Sequence, residues 1–234
     1  MNFVKKTFGF LKMFFICTIT ALIIWPIYFV LLYKFVPVPY TPLMIQRDAE
    51  YLLNGKEIEC SKTWVSYDNI NPDMARAVIA SEDNLYLKHD GIYWPAIKAA
   101  YHEAQRGRRV RGGSTISQQC AKNVFLPHVR SYVRKAYEAY LTYLIEIIWG
   151  KRRIMEVYLN VIETGPGVYG VEAAAQKYFH TSAKKMSKQQ CALIAACLPN
   201  PRKFLLSRPS GYMIGRREKI IYLMPKIGKL EGLD

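Results

Sequence analysis

Met13–Tyr33 is a run of 21 residues without a charge, and nothing else in the chain constrains its fold as strongly. At ~1.5 Å per residue, a helix of that length crosses a hydrocarbon core of about 30 Å, so the run predicts a transmembrane helix. Residues 1–12 form a basic segment with Lys5, Lys6 and Lys12, which predicts a cytoplasmic N-terminus with the rest of the chain outside. The run is longer than the apolar part of a signal peptide and no A-x-A site follows it, so it reads as an uncleaved, single-pass anchor, kinked at Pro26. Residues 34–42, with Pro37, Pro39 and Pro42, read as a stiff extended spacer that sets the remainder close to the membrane. Residues 43–234 are long enough for one well-buried domain.

Two polar clusters mark that domain. In the first, Ser81–Gly91, a helix read from Asn71–Ala80 runs out at Glu82, beside Asp83, Tyr86, Lys88, His89 and Asp90. A carboxylate at such an edge is placed to accept a proton from a sugar hydroxyl; the plainer reading is a capped helix end and a solvated turn. The second cluster, Gly112–Asn123, brings Ser114, Thr115, Ser117, Gln118, Gln119, Lys122 and Asn123 into a helix start. Unpaired N–H groups there can hold a polyoxyanion, although the spacing is not that of a nucleotide P-loop. Its plainer reading is a Ser/Thr-capped helix with a polar face.

Helices are also expected over 92–106 and, as two segments ended by Gly150, over 131–162. Two more are expected at Val171–Phe179 and Ser187–Cys197, the last stopped by Pro199. Ile154, Val157, Tyr158 and Val161 read as a buried stripe that leaves Glu156 and Asn160 on other faces. Val124–Leu126 reads either as core or as a patch dipping into lipid, and Arg106 to Arg111 as a solvated charge run or a headgroup contact. The formal charge of +15 suits anionic lipid and a polyanionic substrate; an exported domain has little access to nucleic acid. Cys17, Cys60, Cys120, Cys191 and Cys197 show no metal or disulfide spacing and read as small hydrophobes.

Together the clusters resemble the peptidoglycan glycosyltransferases, specifically the monofunctional, membrane-anchored biosynthetic kind. Five motifs stand in the family's order. EDxxFxxHxG appears as Glu82–Gly91 with Tyr86 in the phenylalanine place, and GGSTIxQQxxKN as Gly112–Asn123. RKxxE is Arg134-Lys135-Ala136-Tyr137-Glu138; Lys151–Asn160 with Gly165 and Gly170–Ala175 represents the fourth, and Ala192–Pro201 the fifth.

The resemblance implies a mainly α, lysozyme-like helical domain with a small membrane-facing lobe, following one N-terminal transmembrane helix. It implies a bacterial inner-membrane enzyme whose periplasmic domain polymerises lipid II, inverting α to β as the polyprenyl-pyrophosphate-linked strand passes to a 4-hydroxyl. No transpeptidase domain is expected. Glu82 and Glu138 would be catalytic, Glu82 as general base. Lys122 and Arg130 would face the leaving pyrophosphate, and Asp83, His89, Ser114, Gln118, Gln119, Asn123, Arg134 and Lys135 would bind substrate. Glu138 would orient Lys or Arg or bind Mg2+ or Mn2+; no organic cofactor is expected. Lipid II, the polyprenyl-linked glycan, the membrane and other cell-wall synthesis proteins are the expected partners, and nucleic acid is not. The competing readings are a lytic enzyme that cleaves glycan with a helix-edge glutamate and a non-catalytic scaffold that binds lipid intermediates.

Overall fold

The computed structural model describes residues 2–107, 113–129 and 131–233, in two units, 1–36 and 37–234. In the first, α1 (Asn2–Phe35) runs through Pro26 without ending. Its stretch Gly9–Phe35 has a mean hydropathy of 2.4, long and apolar enough by length and composition to cross a membrane. Trp25, Tyr28, Phe29 and Tyr33 form a run of ring contacts near its C-terminal end, the residue types that settle at membrane interfaces.

The second unit is mainly helical, as expected. It contains α2 (Pro42–Leu53), α3 (Pro72–Glu82), α4 (Trp94–Gln105), α5 (Ile116–Phe125), α6 (Tyr132–Val161), α7 (Val171–Phe179), α8 (Lys188–Cys197) and α9 (Gly211–Leu223). It starts at Pro37 because the spacer packs onto it. Val38 is fully buried, and Lys62 donates to the carbonyls of Val38 and Pro39. Thr41 caps α2 by accepting the Met44 N–H, so Pro42 opens a helix and does not extend the spacer.

A small sheet joins β1 (Ser61–Lys62), β2 (Glu163–Gly165) and β3 (Val168–Tyr169), with β3 central, parallel to β1 and antiparallel to β2. From Cys191 on, α8 is apolar all round and lies inside, with Cys191–Cys197 buried against α3 and α9. α3 turns Met74, Ala77, Val78 and Ile79 inward, each at most 1% exposed. Burying one such Met, Val or Ile side chain contributes about 1.5–3 kcal/mol. The buried thiols behave as hydrophobes: burial pushes Cys191 and Cys197 up to about 12.

α6 packs along α5 and breaks where expected, since Gly150 has φ +71°, a left-handed value that only glycine adopts freely. Asn160 departs from the expectation. It is fully buried and pins the approach to α3 by accepting the Val65 N–H (2.9 Å) and donating to the Val65 carbonyl (2.9 Å). Val124 and Leu126 are also buried, so that patch is core and not a lipid-facing surface. Arg108, Arg109 and Arg111 of the basic run lie outside the described residues.

Candidate active site

Glu82 is the last residue of α3, and three neighbours hold its carboxylate. Oε2 accepts from Gln119 Nε2 at 3.1 Å, and Oε1 accepts from Ser81 Oγ at 2.9 Å and Arg216 Nη2 at 3.3 Å. Gln119 is itself oriented, because its Oε1 accepts the Tyr158 hydroxyl at 3.1 Å. Burial raises the Tyr158 phenol well above its ordinary range, which keeps it a neutral donor.

One turn along α5 from Gln119, on the same face, stands Lys122. Gln119, Lys122, Asn123, His128, Tyr158 and Arg47 line a cleft of about 250 Å³, closed on its other side by Glu163 and Leu198–Arg202. The Lys122 ammonium makes no hydrogen bond or ion pair among the described residues, while its backbone carbonyl accepts the Leu126 N–H within the helix end. Burial lowers its pKa, with the carboxylate of Glu138 opposing that shift. His128 is lowered to about 4, first by burial and then by Lys122, Arg47 and Arg134, although one side of it meets solvent. Arg47, on α2, bonds Glu50 at 2.8 Å and lies 3.4 Å from Glu163.

Glu138, 2% exposed, forms the other pole. Its Oε2 takes Arg134 Nη1 at 2.6 Å and its Oε1 takes Lys135 Nζ, which also donates to Ser114 Oγ at 3.0 Å. The third motif is thereby joined to the second. As a donor set this does not fit a divalent ion: each oxygen already holds a cation, and no group of three His, Cys, Asp or Glu gathers among the described residues.

Several residues expected at the substrate are instead committed to the scaffold. Asp83 accepts from His89 Nε2 (3.0 Å) and from the first N–H of α5, at Ile116 (3.0 Å). His89 Nδ1 in turn accepts the Gly91 N–H at 3.1 Å. This motif therefore ties the end of α3 to the start of α5, aligning Glu82 with Gln119. Gly91 is required where it stands: φ is +85°, and a Cβ would come within 2.8 Å of Glu146 Cγ and Thr142 Cγ2. Gln118 is buried in a capping box with Thr115, so it serves the helix start. Asn123 borders the cleft and lies 3.4 Å from His128 Nε2. Arg130 lies outside the described residues.

Sequence reasoning missed Arg216, Ser81 and Arg47. Arg216 sits in the charged run Arg216–Lys219, which looks like any solvated helix face, and no local signal sets it apart from Arg217. Tyr158 fell within the fourth motif but was assigned only to packing.

A helix-edge carboxylate held from α5, an unpaired ammonium one turn further along that helix and a second carboxylate flanked by cations offer a group able to accept a proton and cations able to meet an anion, the equipment of a group-transferring enzyme. The comparisons agree. The transglycosylase family matches residues 52–225. A biosynthetic peptidoglycan transglycosylase of Bacteroides thetaiotaomicron is 48% identical over 221 residues, covering 94% of this chain and 86% of that protein. Proteins of the same name from Bdellovibrio bacteriovorus and Escherichia coli are 52% and 48% identical, over 82% and 84% of this chain and 77% and 82% of their own lengths. The chain belongs to the transglycosylase family: it is a peptidoglycan glycosyltransferase with the mainly α, lysozyme-like domain that the motifs implied.

Proposed function

We propose that the domain lengthens peptidoglycan strands by passing the growing glycan from polyprenyl pyrophosphate to the 4-hydroxyl of lipid II. The acceptor oxygen attacks the anomeric carbon while Glu82 takes its proton. The new C–O bond forms as the bond to pyrophosphate breaks, so α becomes β and the polyprenyl pyrophosphate leaves. General base help of this kind is worth ~10²–10⁴-fold. Lys122 meets the charge that builds on the departing pyrophosphate, and Arg130, by its motif place, would join it. Glu138 holds Arg134 and Lys135 beside that charge, and Ser114 sets the Lys135 ammonium. Lysines ahead of α1 support a cytoplasmic N-terminus and a periplasmic domain reached by substrate from the bilayer.

What carries the reading is Gln119 and Lys122 on one face of α5, the first holding Glu82 and the second left unpaired in the cleft. The test is incubation of the detergent-solubilised full chain with labelled lipid II, the products separated by size. Long lysozyme-sensitive glycan is expected from the native protein and none from Glu82→Gln at unchanged melting temperature. A variant that still polymerises would remove Glu82 from the role of base.

A further inference from the structure

We infer that Arg216 is the positioning residue for the base: from α9 it fixes the orientation of the Glu82 carboxylate. The inference rests on the reading of Glu82 as general base. Arg216 Nη2 donates to Ser81 Oγ at 2.9 Å and to Glu82 Oε1 at 3.3 Å, while Ser81 Oγ donates to that same Oε1. Gln119 holds Oε2 from the opposite element, α5. Donors on both oxygens stop rotation of the carboxylate; Oε1, with two donors, is filled, and Oε2, with one, keeps a lone pair for a substrate hydroxyl.

The groups that face Glu82 from every packed element leave Arg216 without a substitute. Tyr158 from α6 and Cys197 from α8 both have proton affinities raised by burial and stay neutral. Gln119 from α5 and Ser81 on α3 carry no charge, and Asp83, just past the end of α3, is committed to His89 and Ile116. Arg216 is therefore the one cation in hydrogen-bonding reach of Glu82 among the described residues. Both side chains are mostly shielded, 26% and 13% exposed, so the attraction is less screened than at a surface.

Arg216 is also not placed as a mere strut between α9 and α3. It gives both of its Nη2 contacts to Ser81 and Glu82, while its Nε–H is buried without an acceptor among the described residues. Its neighbour Arg217 pairs with Glu218 instead and has no part in the site.

A general base works only when its lone pair is aimed at the proton it takes. Without Arg216 the Oε1 side loses its charged donor, the carboxylate is free to turn on its remaining donors, and turnover falls while substrate binding does not.

The experiment is lipid II polymerisation by the full chain in detergent, resolved into kcat and KM. It compares native protein with Arg216→Gln, Arg216→Lys, Arg217→Gln and Glu82→Gln, each checked by thermal melting. Arg216→Gln is expected to lose roughly 10-fold in kcat with KM near native, because a loosened base costs turnover and not binding. Arg216→Lys keeps a charged donor and is expected to recover most of that loss, and Arg217→Gln is expected to match the native protein. An Arg216→Gln variant with native kcat, or an Arg216→Lys variant as slow as Arg216→Gln, overturns the inference. Polymerisation surviving in Glu82→Gln would instead sink the reading of Glu82 as base, so the two failures are told apart.

Discussion

Asp83→Ala is expected to act on stability and leave substrate affinity largely alone, although Asp83 stands beside the candidate base within its motif. The Asp83 side chain is 7% exposed and satisfies two buried donors, His89 Nε2–H at 3.0 Å and the Ile116 N–H at 3.0 Å. Deleting it strands both, at about 1–3 kcal/mol each, and water entering the vacated space recovers part, so a net loss of about 3 kcal/mol is expected. For a domain of this size that corresponds to a fall of ~6–12 °C in melting temperature. Near-UV circular dichroism of the detergent-solubilised protein reads the transition, and lipid II turnover well below it reads KM. His89→Ala and the double variant complete a cycle in which the double loses less than the sum of the singles, with a coupling of about 1–3 kcal/mol. A melting temperature within about 2 °C of native together with a raised KM would refute the reasoning and return Asp83 to the substrate.

Glu138→Gln removes the charge that holds Arg134 and Lys135; a stability loss of about 1–3 kcal/mol and loss of polymerisation are expected, read by melting and by lipid II assay. An active, equally stable variant would deny Glu138 its role in ordering those cations. His128 has a folded pKa of about 4 against 6.5 in the unfolded chain, so the unfolded state binds more protons between those values. Native stability should therefore fall as pH drops from 6.5 towards 4, and His128→Gln should show a flatter dependence in urea melts across that window. Excess EDTA should leave polymerisation in place, because the Glu138 donor set does not suit a resident divalent ion. Loss of activity restored by Mg2+ or Mn2+ would return Glu138 to the metal role.

Much of the helical frame was legible because its ends are written locally. Asn71-Pro72, the Thr115–Gln118 capping box, the Ser187–Gln190 box and Gly150 mark boundaries that side chains three residues apart or a single φ can set. Thr41-Pro42 carries the same kind of mark, yet three prolines within six residues made it read as spacer. The strands, two or three residues long, are too short for a period of two to appear. The motifs were legible as runs of residues and illegible as a division of labour. Asp83 meets Ile116, Asn160 meets Val65 and Arg216 meets Glu82 across wide gaps in sequence, so which motif residue holds the frame and which faces the cleft is decided by packing.

On the proposed mechanism a second glutamate beside a pyrophosphate would be expected to repel it, and the arrangement of its neighbours shows why Glu138 need not. Glu138 is met by Arg134 and Lys135, and Lys122 stands near enough for the same carboxylate to support its charge. Three cations around one carboxylate leave the region net positive, so Glu138 lowers the mutual repulsion of the cations without cancelling their pull on an anion. Lys122 is the member left without a direct partner, and burial already disfavours its charge. On the proposed mechanism an anionic ligand offsets that cost, and the demand would be greatest when the glycosidic bond to pyrophosphate breaks and negative charge builds beside Lys122. Stabilisation that grows towards the transition state accelerates the step, whereas equal stabilisation of bound substrate would not.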